Sequence, residues 1–407
     1  MQTRPDRMLM VLPRARLVRK AVAAGYQVWS VADPELCDAA EHGDVARYSE
    51  QVLTVDLADE PALRALVVRT AREYRIGHVM YLGGGVGMRP VLEEAHKLGI
   101  SANPPQAHRL LGDRAALREL LHGHGRLSVR FRRVELPAEL PGAVQESGGH
   151  PVVVSSLARD ADRRPFLTSG PGTLEAWAGR TQGPYLVEEF LVGPQYTVST
   201  LSVDGMHQVV GITATRTEGP PHFVALEHVH PAPLGEREDA EIRSAVCALL
   251  DLAGFENGPA DTTVVLTGTG PRVISARPGF SRDGIPLLLR LARGIDLEAA
   301  FFQTLTLGEC LPHTDAVRTS AAGFFQLPPG RLTAVTGLDE VRALSHVHAV
   351  HLPFRPGDLV PGTADGATVH GFVVVDGADA DETAERLAAV RRLLRTEVEP
   401  PALSPPS

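Results

Sequence analysis

Hydrophobic and polar positions follow two different rhythms along the chain. In the first hundred residues, short apolar runs at 8–12, 27–31, 52–55 and 78–82 are separated by stretches at 15–24 and 61–74 where apolar residues recur every three to four positions. Short apolar runs read as strands and the longer period as helix, so their alternation predicts βαβ units around a parallel sheet. A helix over 89–98 and a short segment at 99–103 close this first unit. A helix over 107–122 follows, then a strand at 151–154, an apolar run from Tyr185 ending in two acids, and a long helix at 236–252. Two β-type runs, 262–266 and 272–276, flank Gly268 and Gly270, which supply hairpin turn chemistry. Beyond Pro312 the texture becomes α+β: strands near 323–326, 335, 346–351 and 370–375, Pro-Gly turns at 328–330 and 355–358, and a helix over 381–396. The pattern sets off 1–103 and 313–399 from the middle of the chain, leaving a Pro-rich tail at 400–407 that is expected to be disordered.

Composition narrows the picture. A chain of 407 residues with 43% hydrophobic content fits about two to four packed units. The formal charge of −9, with no basic run, argues against a nucleic-acid partner. No apolar run approaches the roughly 18–20 residues that cross a bilayer, and residues 8–13 are too short for a leader, so a cytoplasmic protein is expected. Cys37, Cys247 and Cys310 match no metal or redox spacing and read as small buried hydrophobes. Of 40 basic residues, Lys20 and Lys97 are the lysines. An Arg in place of a Lys is therefore unsurprising in this chain.

Several segments together carry a family likeness. Residues 258–286 hold a hairpin that opens into an Arg-rich loop; Tyr185-Leu186-Val187-Glu188-Glu189-Phe190-Leu191-Val192-Gly193 is followed by Pro194 and Gln195; Gly112-Asp113-Arg114 opens a helix containing Arg118. With them stand Pro151-Val152-Val153-Val154 before a loop carrying Arg159, Arg163 and Arg164, and 221–232, in which His228, Pro231 and Ala232 stand at matching positions. This set resembles the ATP-grasp superfamily, and within it the dipeptide-forming L-amino-acid ligases. The resemblance implies an α/β ATP-grasp fold with an N-terminal doubly wound domain (1–103), a lid subdomain (104–190), a large subdomain (191–312) and a C-terminal α+β subdomain (313–399). It also implies ATP as the cofactor, a carboxylate activated as an acyl phosphate, and an amine as the second substrate. Carried over residue by residue, Arg114, Val154, Glu188, Glu189, Phe190, Leu191 and Gln195 would hold the nucleotide. Arg277, Arg282 and His228 would serve the phosphates and the substrate carboxylate, and 221–232 would be a substrate-side loop.

The chain departs from the pattern where the family binds its ions. Thr263 and Ser275 stand at carboxylate positions, Arg277 at the Asn position, Ser155 after the strand that normally ends in Lys, and Gln195 at a Glu position. Magnesium takes hard oxygen ligands, usually one or two carboxylates with substrate phosphates, so no ordinary Mg²⁺ cage is expected and no metal ligand is assigned. Asp261 and Asp283 are alternative oxygen donors nearby. Two functions follow: a divergent ligase forming an amide bond, or a non-catalytic pseudo-ligase acting as a binding or partner subunit; a homodimer or an active ligase partner is the expected assembly. Other motifs read as weaker signals. Gly83-Gly84-Gly85 with Gly87 does not give Gly-x-Gly-x-x-Gly and reads as a turn near a substrate site rather than a nicotinamide site. His228 with His230, and His346 with His348, have metal-like spacing but no third ligand in sequence reach.

Overall fold

The computed structural model describes residues 6–37, 39–81, 85–158, 164–219, 223–312, 314–362 and 370–400. Gly83, Gly84, Arg159, Arg163 and the tail from 401 onwards, each singled out in the sequence, lie outside the described residues.

The N-terminal unit alternates β1 (Arg7–Val11), α1 (Ala15–Ala23), β2 (Gln27–Ala32), α2 (Ala39–Tyr48), β3 (Gln51–Thr54), α3 (Glu60–Glu73), β4 (His78–Tyr81) and α4 (Met88–Lys97). Its sheet is parallel in the order β3-β2-β1-β4. Alternation along β1 explains why the run is uninterrupted: Met8 and Met10 pack with α1, whereas Leu9 and Val11 pack with α3 and α4. Helix α2 escaped the sequence reading because its apolar face is weak; Val45 is its buried apolar residue.

The expected single helix at 107–122 is two, α5 (Pro105–Gly112) and α6 (Arg114–Leu121). Asp113 separates them in an extended conformation (φ −104°, ψ 119°), its carboxylate accepting the Ala116 N–H at 2.9 Å as an N-cap. A small sheet then forms from β5 (Phe131–Val134), β6 (Val152–Ser156), β7 (Phe166–Thr168) and β8 (Tyr185–Glu189), in the order β5-β8-β6-β7. Helices α7 (Leu140–Glu146) and α8 (Pro171–Ala178) cover one face of it, with Trp177 in the core between.

The remainder is built on one eight-stranded sheet. Strands β9 (Gln195–Val203), β10 (Met206–Thr217), β11 (Ala225–His230), β12 (Gly258–Thr267) and β13 (Gly270–Pro278) are joined by β14 (Thr319–Phe325), β16 (Val347–His351) and β18 (Gly371–Gly377), in the order β13-β12-β9-β10-β11-β14-β18-β16. Strands from beyond Pro312 thus extend the central sheet, and 225–230, expected as a loop, is the strand that joins the two halves. Helix α9 (Glu236–Ala253) covers one face near β12 and β13; α10 (Ile285–Arg293) and α11 (Leu297–Leu307) pack elsewhere on the sheet. A three-stranded sheet, β17-β15-β19, sits apart, from β15 (Gly330–Thr336), β17 (Leu359–Val360) and β19 (Arg395–Glu399), with α12 (Leu338–Ala343) and α13 (Ala380–Leu393) completing the chain. The helix predicted through 396 stops at Leu393, because Arg395 to Glu399 pair with β15.

Lys20 and Asn103 are among the residues that fix the N-terminal unit against the rest of the chain. Lys20 Nζ reaches Asp296 Oδ1 at 2.6 Å and Glu298 Oε2 at 2.8 Å, and Asn103 Oδ1 accepts the N–H groups of Glu256 and Asn257 at 2.7 and 2.9 Å. Cys37 and Cys247 are partly buried, but Cys310 is exposed, contrary to the expectation of a buried hydrophobe. Among the described residues no helix is long and apolar enough to cross a membrane.

Candidate functional site

The site follows from strand alternation. On the central sheet, Tyr196, Val198, Ile212, Val264 and Val273 face α9 and form a core. On the same strands Gln195, Thr197, Thr215, Thr263, Ser275 and Arg277 face the other way and line a cleft, a bulge at Ile274 shifting the alternation along β13. The small sheet closes that cleft. On β6, Val152 and Val154 pack towards α7 and α8, whereas Val153 faces the cleft. Val154, expected at a nucleotide, thus has its side chain in the core on the opposite face of β6 from the cleft, as the two-residue strand period dictates. The gap between the two sheets is a cavity of about 970 Å³, ample for a ligand of nucleotide size. It continues into a second cavity of about 250 Å³ over the hairpin.

Of the residues expected at a nucleotide, Arg114, Glu188, Glu189, Phe190, Leu191 and Gln195 all line the larger cavity. Residues 190–194 cross from β8 to β9 as a hinge. Pro194 O accepts the Leu266 N–H at 2.9 Å, and a Cβ on Gly193 would stand 2.1 Å from Leu266 O, so glycine is required for this close approach. Phe190 stacks on Phe223 with centroids 5.9 Å apart and 27° between planes. Phe223, which the sequence reading assigned no role, holds a left-handed φ of 55°, unusual for a bulky residue and found where surrounding structure imposes it.

Glu188 is the most constrained acid of the cleft. It is buried between Arg118 Nε and Arg114 Nη2, the latter at 2.8 Å. Burial pushes its carboxyl pKa up, and the two guanidiniums more than offset that, leaving it below the ordinary value. Arg118 also donates to the carbonyls of Val273 at 2.7 Å and Ile274 at 2.6 Å. One buried side chain thereby ties α6, strand β8 of the small sheet and the hairpin strand β13 together. Arg114 extends towards Ser155, with Nη1 3.4 Å from its Oγ. Glu189 accepts from the Arg130 backbone and side chain, both at 2.8 Å.

The second cavity holds His228, Arg277, Arg282, Asp261 and Asp283 beside threonine hydroxyls. Arg277 donates to Asp261 Oδ2 through Nη2 at 2.6 Å and Nε at 3.0 Å; Ser281 Oγ donates to Asp261 Oδ1 at 3.0 Å. Arg282, on the loop after β13, has its pKa lowered first by the neighbouring Arg277 charge and then by burial. Asp283 beside it adopts φ 57°, a conformation that Asp tolerates. His228 is buried edge-on to Phe324 with Nδ1 3.0 Å from Thr215 Oγ1. Burial lowers its pKa against the opposing charges of Asp283, Asp261 and Glu227, so the ring is neutral near pH 7. His230 does not join it: its Nδ1 meets the Ile212 carbonyl at 3.1 Å inside the core. His346 precedes β16, and His348 Nε2 pairs with Asp376 at 3.0 Å.

These donors do not fit Mg²⁺. Thr263 and Ser275 face each other across β12 and β13 with neutral hydroxyls, and both oxygens of Asp261 are engaged by Arg277 and Ser281. Among the described residues no three His, Cys, Asp or Glu side chains converge.

Comparisons with known proteins agree with this architecture. Residues 323–399 match the family model of L-amino acid ligase C-terminal domain 2. The chain is 28% identical over 361 residues to the uncharacterized protein y4rH of Sinorhizobium fredii, covering 84% of this chain and 72% of that one. Among solved structures, the L-amino acid ligase of Bacillus licheniformis superposes with a TM-score of 0.82 at 18% identity, over 97% of this chain and 99% of that one. N5-carboxyaminoimidazole ribonucleotide synthetase from Thermotoga maritima gives 0.72 at 14% identity, over 97% and 99%. Biotin carboxylase from Campylobacter jejuni, solved as a β-γ-ATP complex, gives 0.67 at 15% identity, over 96% and 92%.

Proposed function

The chain has the ATP-grasp fold and, over residues 323–399, matches the C-terminal domain of L-amino acid ligases; from that premise we propose that it binds ATP in the interdomain cleft and joins a small carboxylate to an amine. The observation that carries this reading is the cavity between lid and central sheet, into which the hinge residues 188–195 open. In this reading the hinge backbone meets the base, with Phe190 beside it. Arg114 and Arg277 neutralise the phosphates, and Arg282 spans the end of the phosphate chain and the substrate carboxylate that becomes the acyl phosphate. With Thr215 donating to Nδ1, the neutral His228 presents Nε2–H to an oxygen of the carboxylate. The carboxylate oxygen attacks the γ-phosphorus, ADP leaves, and the acyl phosphate is taken by the amine, releasing phosphate and a proton. Its substrates are small carboxylates and amines, amino acids first among them.

The engaged Asp261 and the hydroxyls at Thr263 and Ser275 favour a second reading, a pseudo-ligase that binds ligand and serves as a homodimer or as the partner of an active ligase. Supplying ATP with pairs of amino acids and following ADP release separates the two. Turnover that needs both amino acids, and falls at least about tenfold in Arg282→Ala, supports the ligase. ATP binding with no ADP release under any pair supports the pseudo-ligase.

A further inference from the structure

The groups that face the smaller cavity are chiefly hydrogen-bond donors, which suit an anion and not a divalent ion. Asp261 engages two of the five N–H bonds of Arg277, through Nε and Nη2, and leaves Nη1 with both its hydrogens. Arg282 lines the same cavity; its backbone carbonyl accepts the Ile285 N–H at 3.1 Å, while its guanidinium makes no hydrogen bond or ion pair among the described residues. Thr197, Thr215 and Thr263 add hydroxyl donors, and His228 adds a neutral ring. Against these stand Asp261, whose oxygens are held by Arg277 and Ser281, and the exposed Asp283; the formal charges of the two Arg and two Asp side chains cancel, and what marks the floor is its N–H and O–H donors left facing the cavity. A dication here would be repelled by two guanidiniums while gaining mainly neutral oxygens. A phosphate chain would gain two forked cations at a site pre-set by a salt bridge.

We propose that this floor receives the phosphate chain of its ligand without a divalent cation, the guanidiniums of Arg277 and Arg282 supplying the positive charge. The identity of the ligand as ATP rests on the reading above, whereas recognition of the anion rests on these side chains alone. The arrangement makes affinity depend on protein charge rather than on metal, and it gives strong salt dependence because part of the site is exposed.

The test titrates ATP and, separately, inorganic triphosphate into the full chain by calorimetry, in EDTA and in Mg²⁺. Both ligands bind in EDTA, and Mg²⁺ does not raise either affinity. Arg282→Ala, on a loop and exposed, weakens both by about tenfold or more. Arg277→Gln, which keeps a donor to Asp261, weakens both while the thermal midpoint holds. Triphosphate that fails to bind in EDTA, an affinity that rises tenfold with Mg²⁺, or an unchanged Arg282→Ala overturns the proposal. Triphosphate binding without ATP binding sinks the nucleotide reading and leaves this inference standing; ATP binding only with Mg²⁺ does the reverse.

Discussion

Replacing Arg118 with Met should unfasten the lid from the rest of the molecule. The Arg118 and Glu188 side chains are 1% and 2% exposed, so the lost charge cannot be replaced by water without opening the cleft. Removing the guanidinium leaves Glu188 to Arg114 alone and strips the carbonyls of Val273 and Ile274 of a donor. Breaking a buried pair from one side costs about 3–5 kcal/mol. With a urea slope of about 2 kcal/mol per molar, that moves the midpoint down by roughly 2 M. Trp177 lies in the lid core, so a Trp29→Phe background gives fluorescence that reports the lid alone. Removing both charges, as Arg118→Met with Glu188→Leu, should recover at least half of the loss. Acid adds a second arm. Glu188 has a depressed folded pKa, so its contribution is full above the unfolded carboxylate value of about 4.5 and disappears as pH falls through the folded one. The single variant should therefore lose less on acidification than the parent. A loss below about 1 kcal/mol in Arg118→Met, or a double variant no better than the single one, would refute the clamp.

Two other substitutions probe the frame around the cleft. His230 is fully buried and its pKa is lowered to about 4, by burial first and the Arg293 charge second. A folded value below the unfolded one of 6.5 means that stability is lost as pH falls from 6.5 to about 4, by roughly 3 kcal/mol, and is flat below; His230→Gln should flatten that slope in a stability–pH series. Gly193→Ala places a methyl 2.1 Å from Leu266 O, so the hinge must lift off β12. Nucleotide affinity should drop about tenfold or more while sheet content by circular dichroism stays unchanged; unaltered affinity would show that the hinge does not position the ligand.

How much of this was readable in the chain depended on whether the signal was local. The alternating runs of the N-terminal unit gave its four strands to within a residue or so, because a sheet buried on both faces leaves continuous apolar stretches. The hinge from Glu188 to Gln195 and the hairpin frame around Gly268 were visible because each is contiguous. Arg118 had no readable role because its partners, Glu188 and the carbonyls of Val273 and Ile274, are 70 or more positions away. The face of Val154 was not legible because a quoted motif carries no face, whereas the strand period places Val153 towards the cleft. The break at Asp113 was legible in principle: an Asp after Gly is a cap signal, hidden by apolar periodicity that runs through it. Pairing of Arg277 with Asp261 was also within reach, since the two are opposite each other in the hairpin register. That register needs the bulge at Ile274, which no residue type announces.

Hydrogen exchange of the full chain with and without ATP tests the central claim most directly. The account predicts slowed exchange over the hinge at 186–196 and over the hairpin at 258–278, with the N-terminal sheet unchanged. Protection confined to residues near Gly85 and Gly87, or none in the hinge, would contradict it.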